Sequence, residues 1–185
     1  MLRNKLVVLG LLSENPKHGY QIINDIKERS MDIWAKINIA SIYNALISFE
    51  KKKFISVKID RSGNMPKKKV YSITKTGIKE LRGMVQRGLS LAEKGNNVVF
   101  LLAIGFMQNL STKEACFSLK KRKQELEQIL AVVESIHKKH DGIIPFNWIY
   151  IIKDALWHIR LDLKKIKELI KKLEIMKNWN EGGKP

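Results

Sequence analysis

Between Asn38 and Gly77 the apolar residues change period, and this change restricts the fold more than any other feature of the chain. Ile42, Ala45, Leu46 and Phe49 fall at i, i+3, i+4 and i+7, the spacing of one buried helical face. From Phe54 the period becomes two. Ile55, Val57 and Ile59 alternate with Ser56 and Lys58, as side chains pointing to opposite faces of a strand must. Asp60 to Pro66 then supplies turn-forming residues, and Val70 to Ile73 makes a return strand. The stretch predicts one helix followed by one antiparallel hairpin.

The face of this helix opposite its apolar stripe carries Ser41, Asn44, Ser48, Lys51 and Lys52. Short hydrogen-bonding side chains and cations of this kind suit base edges and phosphates in a major groove. The hairpin is cationic at its shoulders, with Arg61 on one side, Lys67, Lys68 and Lys69 on the other, and Asn64 in the turn. Such a hairpin can follow a phosphate backbone or enter a minor groove. A lysine-rich edge can also serve only to prevent strand-to-strand aggregation. Directly after a helix with a polar outer face, nucleic-acid contact is the stronger expectation.

Two helices are expected ahead of this stretch. Leu2, Leu6, Leu9 and Leu12 form a helical stripe ending near Ser13 and Glu14. A loop runs from Glu14 to His18, and Tyr20, Ile22, Ile23 and Ile26 mark a second helix. Met31 to Ile37 is a connector, with Trp34 expected in the core or at a subunit contact. Three helices followed by a two-stranded wing is the winged variant of helix-turn-helix topology.

At this point the motifs become specific. Leu11, Leu12, Pro16, His18, Gly19 and Tyr20 resemble the "LL…P-x-HGY-x-I" opening of PadR-like transcriptional regulators. Ser41, Tyr43, Ala45 and Leu46, followed by Phe49, Glu50, Phe54 and Ile55, are similar to that family's "S-x-Y-P-A-L…LE…G-L-I" recognition helix. Tyr71, Ile73, Thr74 and Gly77 resemble its "Y-x-L-T-x-x-G" exit from the wing. The resemblance spans about residues 5–82. It implies operator contact by Tyr43, beside the contacts expected of Ser41, Asn44 and Ser48, and leaves His18 and Tyr20 open between packing and contact. Three positions depart from the pattern: Asn44 replaces a usual Pro, Ser48 a common basic residue and Lys53 a common Gly. Asn44 adds an amide able to pair with adenine, and Lys53 must make a turn that Gly makes more easily.

Thr74 is placed to cap a further helix through Ile78, Leu81 and Val85. Glu93 to Asn97 looks like a linker, which gives an expected winged-helix domain over residues 1–92. A C-terminal helical dimerisation region is expected over 97–178, with a disordered tail over 179–185. Asn97 to Gln108 reads as a buried helix, and Ser111 with Glu114 as a capping box opening the next one. In that helix Leu119, Leu126, Ile129, Val133, Ile136 and His140 keep near-heptad spacing. The last helix carries Ile149, Ile152, Leu156, Ile159, Leu163, Ile166, Ile170 and Leu173 at alternating three–four spacing, a coiled-coil-like seam. The fold class expected is therefore mainly α. A stripe of this length needs a covering surface, and the resemblance implies a second subunit, a homodimer; two helices satisfying each other in a monomer is the alternative.

Charge agrees with a polyanionic partner. The chain of 185 residues has a formal net charge of +17. Residues 1–88 hold 18 Lys and Arg against 7 Asp and Glu, so most of the excess lies in the half with the hairpin. A single cysteine, Cys116, excludes an internal disulfide and fits a reducing compartment. No apolar run approaches the roughly 20 residues of a membrane-spanning helix, so no membrane partner and a cytoplasmic location are expected. The chain carries no nucleotide-binding glycine loop, zinc-protease motif or nucleophile elbow. His137, His140 and Asp141 gather at one helix end, but a histidine pair without further ligands does not define a metal site. No enzyme activity, metal or cofactor is expected.

The function expected is sequence-specific binding of double-stranded DNA at a palindromic operator, as a repressor. The alternative is a protein-interaction module docking an acidic partner on the same basic face. Trp148 and Trp157, with Phe146 and Tyr150 nearby, fit either ordinary core or the walls of a pocket for a small planar hydrophobic effector.

Overall fold

The computed structural model describes residues 2–60, 68–92, 97–176 and 179. Its mainly helical chain divides into two compact units, Met1–Gly88 with Gly95–Leu110, and Leu89–Lys94 with Ser111–Pro185.

The first unit is a winged helix-turn-helix built around α1 (Leu2–Glu14). Every residue from Leu6 to Leu12 is buried. A helix apolar on all sides must be enclosed on all sides, and α1 touches α2 (Gly19–Glu28), α4 (Ala40–Lys51), α6 (Val98–Gly105) and the wing. The expected face of α4 is the buried one: Ile42, Ala45, Leu46 and Phe49. The connector before it contains a single turn, α3 (Met31–Trp34), in which Trp34 is part-exposed and its Nε1–H donates to the Arg29 carbonyl at 3.0 Å.

The wing pairs β2 (Ile55–Asp60) with β3 (Lys68–Ile73) in antiparallel register from Ile55↔Ile73 to Asp60↔Lys68. It is joined by a third strand where a loop was expected: β1 (Lys17–His18) lies on the other edge of β3. Two residues carry no readable period, so sequence pattern alone does not reveal this strand. Its effect is to tie the entry of α2 to the wing.

Helix α4 ends in a Schellman turn. The Phe54 N–H donates to the Phe49 carbonyl at 2.9 Å and the Lys53 N–H to the Glu50 carbonyl at 3.0 Å. The two phenylalanine rings meet at 5.7 Å, the hydrophobic contact that accompanies this turn. Lys53 accordingly takes the left-handed φ of +57° that a glycine would take without strain.

Thr74 caps α5 (Lys75–Ser90), its Oγ1 accepting from the Gly77 N–H at 3.1 Å. A Cβ on Gly77 would lie 2.0 Å from the Phe54 carbonyl oxygen, so the wing exit can pack this closely only with glycine.

The segment after residues 93–96, which lie outside the described residues, does not start the second unit. The helix expected over Asn97 to Gln108 is α6 followed by a 3-10 turn at Met107–Asn109. It packs on α1 because Gly10 leaves a notch filled by the Phe106 ring.

In the second unit α7 (Thr112–His140) and α8 (Phe146–Ile175) form an antiparallel pair. The Ser111–Glu114 capping box is formed. Lys120–Glu174 and Glu134–Arg160 bridge the pair at 2.6 and 2.8 Å, stepping along the two helices in opposite directions. The seam residues Ile149, Leu156, Leu163, Ile166, Ile170 and Leu173 are buried. Their partners on α7 are buried only as far as Leu126. The other half of the pair leaves Val132, Ile136, Phe146, Trp148, Ile151 and Trp157 exposed. No described helix is long and apolar enough to cross a membrane.

Candidate nucleic-acid interface

Three motifs that are far apart in sequence meet around one glycine. The Tyr43 ring of α4 lies where a Cβ on Gly19 would be 3.3 Å from it, and Tyr71 of β3 approaches the same point from the wing. Any side chain at residue 19 would press on Tyr43, so the glycine sets how closely α4 approaches the entry of α2. Burial, then the charges of Glu50 and Tyr43, push the Tyr71 phenol up from its ordinary value.

His18 and Tyr20 extend this cluster to the wing. The His18 backbone N–H donates to Gln21 Oε1 at 2.7 Å, while ring Nδ1 lies 3.1 Å from the Lys69 carbonyl. Its ring stacks on Tyr20 at 5.6 Å, and the Lys68 ammonium sits 5.9 Å from the Tyr20 ring centre. His18 thus touches β3 through the Lys69 carbonyl and Tyr20 through its ring. Tyr20 remains half-exposed beside Lys68.

Not every cation of the region faces outward. Lys17 is buried, its Nζ 2.8 Å from Asp25 and 3.8 Å from Glu14, while Arg29 pairs with both Glu14 oxygens at 2.6 and 2.7 Å. This network locks the end of α1 to α2. The hydrogen bond to Glu14 raises the already high Arg29 pKa, so the guanidinium stays charged.

On α4 the outward strip runs through Ala40, Tyr43, Asn44, Ile47 and Lys51, all exposed. Ser41 and Ser48 are half-buried at its margin. The Ser41 hydroxyl donates to the Asn38 carbonyl at 2.8 Å and accepts from the Asn4 amide, so it holds the start of α4 against α1. Ile47 was not singled out from the sequence; an isoleucine among polar neighbours has no periodic signal of its own. Lys68 and Lys69 are exposed on β3. Asn64 and Lys67 lie outside the described residues.

Trp148 and Trp157 are both exposed, at 58% and 60%. Nine residues apart on α8, they lie about half a turn apart around the helix and roughly 13 Å along it. A single chain does not bring them together. A cavity of about 570 Å³ in the same unit is lined by Cys116, Phe117, Lys120, Leu173 and Glu174, and by neither tryptophan. The described residues contain no cluster of His, Cys, Asp and Glu able to hold a metal.

A three-helix core, a recognition-type helix with an exposed strip and a lysine-bearing wing define a winged-helix protein. Residues 8–83 match the sequence profile of the Transcriptional regulator PadR-like family. The chain is 27% identical over 135 residues to the negative transcriptional regulator PadR of Bacillus subtilis (strain 168), covering 73% of each chain. Among solved structures it is similar to Bacillus subtilis PadR in complex with operator DNA, at 22% identity and a TM-score of 0.43, over 91% of this chain and 98% of that one. It is also similar to Bacillus subtilis PadR in complex with p-coumaric acid, at 21% identity and a TM-score of 0.42, over 93% and 99%.

Proposed function

We propose that this PadR-like chain is a repressor that binds a palindromic operator as a homodimer. The observation that carries this reading is the continuous surface from α4 to the wing. Tyr43 abuts Gly19, His18 holds the Lys69 carbonyl, and Lys68 stands over Tyr20. A helix strip for base edges and a cationic strand for phosphates are therefore fixed to each other by packing, as simultaneous contact with groove and backbone requires. Tyr43 and Asn44 face the bases, with Ser41 and Ser48 at the margin. Lys68 and Lys69 anchor the wing on phosphates; Asn64 and Lys67, assigned to DNA contact from the sequence, lie outside the described residues.

The uncovered half of the α7–α8 pair supports the homodimer. Exposed apolar side chains on both helices, including Val132, Ile136, Ile151 and Trp157, form a surface that a second copy would bury. Two copies of α4 would then enter successive major grooves about 34 Å apart. Trp148 and Trp157, separated within one protomer, would reach a planar hydrophobic effector only with groups of the partner beside them.

The test is a gel-shift with the DNA upstream of the protein's own gene against a scrambled duplex, at two salt concentrations. A discrete complex surviving the higher salt only on the upstream DNA supports the proposal. Equal, salt-fragile binding to both duplexes, with a stoichiometric complex on an acidic protein instead, would favour the protein-interaction alternative.

A further inference from the structure

The outward strip of α4 contains one residue that neither packing nor solubility explains. Ile47 is 54% exposed, while the core face of the helix is complete without it in Ile42, Ala45, Leu46 and Phe49. A β-branched residue is also a weaker helix former than the Lys or Gln that an exposed position usually carries. Ile47 stands three residues after Asn44 and four before Lys51, on the same line of the helix surface.

The order along this line is amide, branched aliphatic, cation. With a rise of 1.5 Å per residue, Asn44 and Ile47 are separated by about 4.5 Å along the axis. A base-pair step is about 3.4 Å, so the two side chains address base pairs one or two steps apart. The major groove presents a single apolar feature, the C5-methyl of thymine, and aliphatic side chains recognise it by contact. The cation that ends this line, Lys51, and the exposed Lys68 and Lys69 of the wing select a polyanion as the occupant of the surface rather than an apolar protein.

The geometry points to Ile47 as a specificity residue that packs on the methyl group of one thymine in each operator half-site. This inference rests on the proposed operator binding. It adds a base identity that hydrogen bonding alone would not enforce, because uracil offers the same donor and acceptor edge.

The experiment replaces each thymine of a bound operator duplex, one symmetric pair at a time, with deoxyuridine. This removes only the methyl group. The full-length protein should lose about fourfold in affinity per half-site at one thymine position, or about fifteenfold for the symmetric pair, from the methylene-sized area left unburied. Ile47→Ala should bind the unmodified operator more weakly and lose discrimination at that position alone; Ile47→Val should keep most of it. Far-ultraviolet circular dichroism of both variants should match the parent and their urea midpoints should not fall, since the side chain is outside the core and alanine is the better helix former.

Two results overturn the inference while leaving operator binding intact. One is specific binding with no thymine position sensitive to deoxyuridine. The other is Ile47→Ala retaining the parent's full pattern of sensitivity. A protein that prefers no duplex over a scrambled one overturns the operator reading itself, and this inference with it.

Discussion

Replacing Lys53 with glycine should stabilise the winged-helix unit. Lys53 holds φ at +57° because the Schellman turn demands a left-handed residue between the α4 terminus and Phe54. For a residue with a Cβ this conformation costs about 1–2 kcal/mol. Glycine removes that cost but gives the unfolded chain more freedom, worth about 0.4–1 kcal/mol in the other direction. The net gain expected for Lys53→Gly is about 0.5–1 kcal/mol. The two turn hydrogen bonds and the Phe49–Phe54 contact use the backbone and other side chains, so they survive the change. Urea unfolding followed by circular dichroism should show a higher midpoint with an unchanged slope. Lys53→Val should move the midpoint the opposite way, since a β-branched side chain tolerates positive φ least. A Lys53→Gly variant less stable than the parent, or a Lys53→Val variant equal to it, would refute the argument that this turn stores backbone strain.

Gly77→Ala should cost about 3 kcal/mol or prevent folding of the wing, because the added Cβ meets a backbone oxygen that cannot move aside; urea midpoints or soluble yield report it. Tyr43→Ala should weaken the operator complex selectively, whereas Lys68→Ala should weaken all duplexes evenly and flatten the salt slope by about one unit in competition gel-shifts. The raised Tyr71 pKa means that the fold favours the neutral phenol. Its contribution is fully present below the unfolded value near 10 and is lost as pH rises through the folded value. Urea midpoints between pH 8 and pH 11 should therefore fall less steeply for Tyr71→Phe than for the parent.

What the sequence made legible was whatever repeats. The α4 core face, the β2–β3 alternation and the α8 seam each carry a period sustained over several residues, and all three appear where the period places them. The local signals at Thr74 and at Ser111 with Glu114 also act as written, because a cap needs only residues three apart. What could not be read depends on distant partners. Strand β1 exists because β3 has a free edge, and α6 joins the first unit because Gly10 leaves room for Phe106. Lys17 looks like any other basic residue until Asp25 and Glu14 surround it. Ile47 lies outside every pattern, and only its exposure on the α4 strip distinguishes it.

The central claim is that the α4-to-wing surface reads a symmetric DNA site. The most direct test is selection from a random duplex pool by the full-length protein at about 150 mM salt, where sequence-blind attraction is largely screened. The account predicts enrichment of an inverted repeat whose half-sites are centred about one helical turn apart. A pool that stays unenriched after repeated rounds, with protein still folded and binding weakly to all duplexes, would contradict it.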